Sequence, residues 1–194
     1  MKKPATFILI VIAALVVLVL AGLFAVYYLF APVRTEVFST ISSETEINMN
    51  LTSSAFANGQ PIPVKYSCKG ADVSPVLAWD QAPAGTQSFA LIMDDPDAPM
   101  GTWDHWVLFN IPPQTLSLPE DFQPAAPVIV GRNSSGQSRY GGPCPPSGTH
   151  RYFFRLYALD STLSLSSKAS KGDVLSAMQG HVLGMAELMG TFSK

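Results

Sequence analysis

Between Phe7 and Ala31 the chain carries no charged residue, and no other feature restricts its folding so tightly. The run is built of Leu, Val, Ile, Ala and Phe with one Gly and two Tyr. At about 1.5 Å per residue such a helix crosses a hydrocarbon core of roughly 30 Å. A secretory signal has an apolar stretch of only about 7–15 residues and small residues at its cleavage site. Here Leu29 and Phe30 precede Ala31, and no Cys follows the run to take a lipid. The length therefore favours an uncleaved anchor over a cleaved signal. Lys2 and Lys3 precede the run while only Arg34 follows closely, so the positive-inside rule keeps the N-terminus cytoplasmic and exports the rest. The expected protein is single-pass in the membrane, with an extracytoplasmic domain and Tyr27 and Tyr28 at the outer interface.

The expected organisation is an anchor over 1–32, a polar Ser/Thr-rich linker over 33–45 (VRTEVFSTISSET) and one domain over 46–194. A domain of that size buries about two thirds of its unfolded surface and needs neither metal nor disulfide to fold. Setting aside Lys2 and Lys3, ten basic side chains remain of twelve, against fourteen acidic, a formal charge of −4. No Lys/Arg cluster is visible, which argues against nucleic acid as a partner.

Residues 46–52 (EINMNLT) alternate like a half-buried strand. Further strands are expected at 62–67, 75–79, 87–94, 105–111 and 151–159, punctuated by Pro, Gly and Asp. Short strands with irregular connections indicate a mainly β sandwich or Greek key. One helix is expected near the end, opened by Asp173 and carrying Val174, Leu175, Met178, Val182, Met185 and Leu188 at three- and four-residue spacing.

Four segments place unusual polar residues among apolar strands. Asp94-Asp95-Pro96-Asp97 crowds three carboxylates into one turn, which raises some of their pKa values unless donors or cations face them. On turn chemistry alone the plain reading is a solvated Asx-Pro turn. Trp103-Asp104-His105-Trp106 sets an Asp/His pair at the start of a strand, where a carboxylate can orient an imidazole. Gly141 to Tyr152 (GGPCPPSGTHRY) is a rigid loop whose N–H groups can face an anion. It delivers His150 and Tyr152 to one strand face and Arg151 to the other. His181 reads as a packing or surface residue.

The segments DPDAP, WDHWVLFNIP, YGGPCPPSGTHRYFF and HVLGMAELMGTFS, in that order and spacing from about Leu51 to Phe192, resemble the phosphatidylethanolamine-binding protein family, or Raf-kinase-inhibitor-like proteins, in its bacterial and archaeal branch. The resemblance implies a large antiparallel sheet packed on a smaller one, with a pocket at one sheet end that accepts phosphate-like anions. Carried over by position, the pocket residues are Asp95, Asp97, His105, Pro146, His150 and Tyr152, with Arg151 structural and paired to a carboxylate of the loop layer. The ligand implied is a small anion or phospholipid head group, without cofactor or metal.

Three functional readings follow. The first is a tethered, non-catalytic binding or regulatory protein, whose pocket holds an anion or docks a partner such as a protease or kinase. The second is a hydrolytic enzyme using the Asp/His cluster or Cys144. Against it, GxSxG, HExxH, P-loop and dinucleotide fingerprints are all missing from the sequence. The third is a protease inhibitor acting through its surface. Export permits a Cys68–Cys144 disulfide, which would remove the free thiol, and the sequence leaves both states open.

Overall fold

Strand-forming runs such as SFALIMDD and THRYFFRLYAL keep apolar side chains in close succession, which suits strands covered on both faces. The computed structural model describes residues 49–194; the predicted anchor (1–32), the linker (33–45) and the first residues of the expected domain lie outside the described residues. Among the described residues no helix is long and apolar enough to cross a membrane.

The chain runs through β1 (Asn50–Thr52), a 3-10 turn (Val64–Tyr66), β2 (Leu77–Asp80), β3 (Ser88–Asp95), β4 (Trp103–Ile111), β5 (Ser117–Leu118), β6 (Ile129–Val130), β7 (Thr149–Leu159), α1 (Lys171–Ala177) and β8 (Val182–Ser193). Strands β1-β2-β5 form a small sheet, and β6-β4-β3-β7-β8 a large one, with antiparallel pairing in both. Leu51, Leu77, Trp79 and Leu118 of the small sheet pack on Phe89, Leu91, Met93, Leu108 and Phe154 of the large one. On its other face the large sheet carries Ala90, Ile92, Val107 and Tyr157 under Val174 and Met178. Central β3 is therefore buried along its whole length. Fully burying one Leu or Phe contributes about 1.5–3 kcal/mol, so this double-faced core dominates stability.

Two expectations are corrected. The helix expected across Asp173–Leu188 is only Lys171–Ala177, capped by Ser170, whose hydroxyl accepts from the Asp173 N–H while the Asp173 carboxylate accepts from the Ser170 N–H. The chain then turns at Gly180 (φ +76°), a left-handed conformation suited to glycine, and continues as β8. The inward positions Gly184, Ala186, Leu188, Gly190 and Phe192 alternate as a strand requires. Glycine is required at two of them: a Cβ on Gly184 would stand 2.8 Å from Pro83, and one on Gly190 2.5 Å from Ile62. The expected strand 62–67 is also absent. Ile62 donates its N–H to the Thr191 carbonyl beside β8, and after Pro63 the chain coils into the 3-10 turn.

Candidate functional site

At one end of the large sheet the tail of β3 lies between the heads of β4 and β7, with Asp95 opposite Trp103, and Asp94 opposite both Asp104 and Phe153. Register between β3 and β4 passes from Met93↔Trp106 to Asp94↔Asp104, so His105 is an extra residue, a β-bulge. A bulge lets two consecutive side chains share a face. His105 packs edge-to-face on Tyr152 (5.2 Å between centroids), and Trp106 does the same on Tyr140 (5.4 Å).

The His150 ring Nδ1 lies 2.7 Å from Asp95 Oδ2, with both groups buried. The other Asp95 oxygen accepts the Asp97 N–H at 2.8 Å, which fixes the Asp-Pro-Asp turn. Asp97 faces away from this pair. It accepts from the Arg151 backbone N–H (2.9 Å), Nε (2.9 Å) and a terminal nitrogen (2.6 Å). Those bonds from Arg151 hold its carboxyl at about 2.

The His105 ring places Nδ1 2.7 Å from the Gly141 carbonyl oxygen. A carbonyl only accepts, so the proton sits on Nδ1 and Nε2 keeps its lone pair. Burial pushes the His105 pKa down, outweighing the Gly141 bond and the charges of Asp95, Asp94 and Asp104, which push it up. The buried Tyr152 hydroxyl meets no partner in hydrogen-bonding geometry, although Asp95 and the Cys144 backbone lie near enough to act on it. Burial first, then the Asp95 charge, raises the phenol and keeps it protonated.

A cavity of about 690 Å³ opens here, lined by Asp95, His105 and Pro146 among the expected residues. His150 stands behind Asp95 and Tyr152 behind His105, while Asp97 belongs to the ion pair with Arg151. One wall is the Cys68–Cys144 disulfide, with Cα atoms 5.5 Å apart, so Cys144 offers no thiol nucleophile. Neither imidazole bonds a side-chain hydroxyl or thiol among the described residues. The mouth carries Met100, almost wholly exposed, and Trp103.

Sequence reasoning missed Asp72 and Arg139, which line the same cavity. Asp72 accepts the Gly142 N–H at 2.6 Å and pairs with Arg139 at 3.2 Å. Both are loop residues far apart in sequence, with no periodic neighbour to flag them. Gly142 itself was visible as part of the Gly/Pro loop. Its role is close approach, since a Cβ there would meet the Tyr66 carbonyl oxygen at 2.3 Å.

The family model for phosphatidylethanolamine-binding protein matches residues 52–193. The chain belongs to that family. Within the phosphatidylethanolamine-binding protein family it is 53% identical to a UPF0098 protein of Methanothermobacter thermautotrophicus over 75% of this chain and 99% of the relative. A UPF0098 protein of Aquifex aeolicus is 47% identical, over 75% of this chain and 89% of the relative. Among solved structures, a phosphatidylethanolamine-binding protein homologue from Chlamydia trachomatis superposes with a TM-score of 0.72 at 44% identity, covering 75% of this chain and 97% of the other. E. coli YbcL, described as a member of the mammalian family, does so at 0.71 and 31% identity, covering 76% and 99%. These relatives place the chain in the bacterial and archaeal branch of the family.

Proposed function

We propose that this protein is a non-catalytic binding protein whose cavity captures a small phosphate-like anion, either free or as a lipid head group. The observation that carries the reading is the uncommitted Nε2 of His105 at the cavity wall, its Nδ1 being fixed on Gly141. A protonated imidazole there donates from both nitrogens, one to the backbone and one to an anion. The Tyr152 hydroxyl, buried without a partner, is a second donor close behind. The Asp95–His150 pair keeps both groups fixed beneath the pocket.

We further propose that the apolar run Phe7–Ala31 tethers the domain on the outer side of a membrane, next to phospholipid head groups. Capture of an anion, rather than surface contact with a protease or kinase, is the role favoured by a cavity with an imidazole in its wall.

Burial disfavours the charged imidazole in the empty cavity, and an anion reverses that preference, so affinity should rise as pH falls. Titration calorimetry with phosphate, phosphoethanolamine and acetate at pH 6 and pH 8 tests the reading. Phosphate should bind more tightly at pH 6 than at pH 8 and lose most of that affinity in His105→Ala. Native protein that binds none of the three at either pH, or His105→Ala with native affinity, overturns it.

A further inference from the structure

Both half-cystines of the Cys68–Cys144 disulfide line the cavity, and both are exposed. Exchange needs a thiolate to reach a sulfur, so an exposed bridge is open to reduction while the fold stays closed, whereas a bridge deep in a core is not.

The two ends of the bridge are held very differently. Cys68 sits in a tightly bonded coil: the Ser67 and Gly70 N–H groups donate to the carbonyls of Val64 and Ser67, and the Ala71 N–H to that of Lys65. The buried Tyr140 hydroxyl donates to the Tyr66 carbonyl at 2.8 Å, and a Cβ on Gly70 would collide with the Val64 carbonyl oxygen. Cys144 lies in the connection 143–148, ahead of β7. Its backbone bonds lie at its two ends, where the Pro143 carbonyl accepts from the Cys68 N–H at 3.2 Å and the Gly148 carbonyl from the Lys194 N–H at 3.0 Å. Pro143, Pro145 and Pro146 have no N–H to donate. Apart from the packing of buried Pro145, the disulfide is therefore what fastens the middle of this strap. The strap matters to the site, because Pro146 lines the cavity and the Cys144 backbone lies beside the Tyr152 hydroxyl.

We propose that Cys68–Cys144 is a thiol–disulfide exchange site whose co-reactant is a dithiol reductant, and that its state sets how tightly the cavity holds an anion. The inference rests on the anion reading of the cavity. In the first step a thiolate of the reductant bonds to one cysteine sulfur, the Cys68–Cys144 bond breaks, and the other sulfur leaves as a thiolate that takes up a proton. The reductant's second thiolate then attacks its own bonded sulfur and releases the remaining cysteine as a thiol. The protein gains two electrons and two protons, and the reductant ends as a disulfide. Because Cys68 stays fixed on its coil, the slack passes to the strap. An anion must then re-order the strap as it binds, and re-ordering a single backbone residue costs about tenfold in affinity.

Dithiothreitol is the reductant probe and inorganic phosphate the ligand. Native protein is treated at neutral pH without denaturant, the thiols are trapped with iodoacetamide for mass spectrometry, and an untrapped sample is titrated with phosphate by calorimetry without oxygen. Both cysteines should be trapped while the circular dichroism spectrum stays native. Phosphate should bind the reduced protein about tenfold more weakly than the oxidised protein, and re-oxidation should restore the affinity. Cys68→Ser, Cys144→Ser should bind as weakly as reduced protein and ignore dithiothreitol, which separates loss of the bridge from any effect of the reagent. Cysteines that react only after denaturant is added, reduction that unfolds the domain, or reduction that leaves phosphate affinity unchanged each overturn the switch and leave the anion reading standing. Failure of oxidised native protein to bind phosphate removes both.

Discussion

The two faces of the sheet end use the same kinds of residue to opposite effect. On the α1 face, Asp94 bridges Arg155 and Lys171, each at 2.6 Å, Lys171 also holds Asp104 at 2.9 Å, and Arg155 reaches Glu187 at 2.8 Å. Arg155 further stacks over Phe153 at 4.6 Å. On the cavity face, Asp95, His105, His150 and Tyr152 are equally buried, yet an imidazole nitrogen and a phenol are left uncommitted. Adjacent residues separate the two worlds, since Asp94 and Asp95, or Asp104 and His105, fall on opposite sides. Burial alone therefore does not mark a binding site. What marks it here is buried polar capacity without a partner beside a cavity, whereas the equally unpartnered Trp79 Nε1 lies in the core.

The largest test of this contrast is Asp94→Ala, which removes the buried carboxylate shared by the half-buried Arg155 and Lys171. Breaking such a pair costs about 3–5 kcal/mol, so the urea midpoint should drop sharply. A loss under ~1 kcal/mol would mean the α1 face is not a closed ion cluster. The Cys68→Ser, Cys144→Ser double variant should lose about 4 kcal/mol from the entropy released to a loop spanning 76 residues. Chemical denaturation of that variant beside the native protein checks it.

Tyr152→Phe should move the other way. Deleting a buried hydroxyl that lacks a partner should raise apo stability by about 1 kcal/mol while weakening phosphate binding. A destabilised variant would show that the phenol is already satisfied.

His105 supplies a pH test with a definite sign. Its folded pKa lies below the usual value, so the unfolded chain binds the extra proton first. The stability it contributes is present above about pH 6.5 and is lost as pH falls through the folded value. His105→Gln should flatten the urea stability profile between pH 7 and pH 5. In the native protein phosphate affinity should climb as pH falls over the same interval, opposite in direction to stability.

The smallest effect belongs to Asp97→Asn. Its pair with Arg151 is half exposed, and solvent screening limits the loss to ~1 kcal/mol or less. Thermal melts resolve a change of that size.

Much of this architecture could be read in the sequence. β3, β4 and β7 announce themselves because their apolar residues are large and closely spaced. β8 hides because close packing against Pro83, Ile62 and Phe56 demands glycine at 184 and 190, and glycine carries no hydrophobic signal. With those positions silent, Val182, Met185 and Leu188 mimic a helical stripe. In the candidate site, the polar residues of the strand heads were visible because they interrupt apolar runs. Which carboxylate faces the cavity was not, since that depends on Arg151 drawing Asp97 outward. Asp72 and Arg139 were invisible because loop packing and the disulfide bring them to the cavity, and no local spacing records either.

The bulge at His105 carries a further implication. One inserted residue in β4 decides which way that imidazole points, so the cavity's chemistry is stored in strand register as much as in side-chain identity. Removing a single residue between Gly101 and Asp104 could leave every functional group in the sequence and still rotate the ring out of reach. Related chains that keep all these side chains but differ in length there should be compared by the frame of that strand before they are credited with the same ligand.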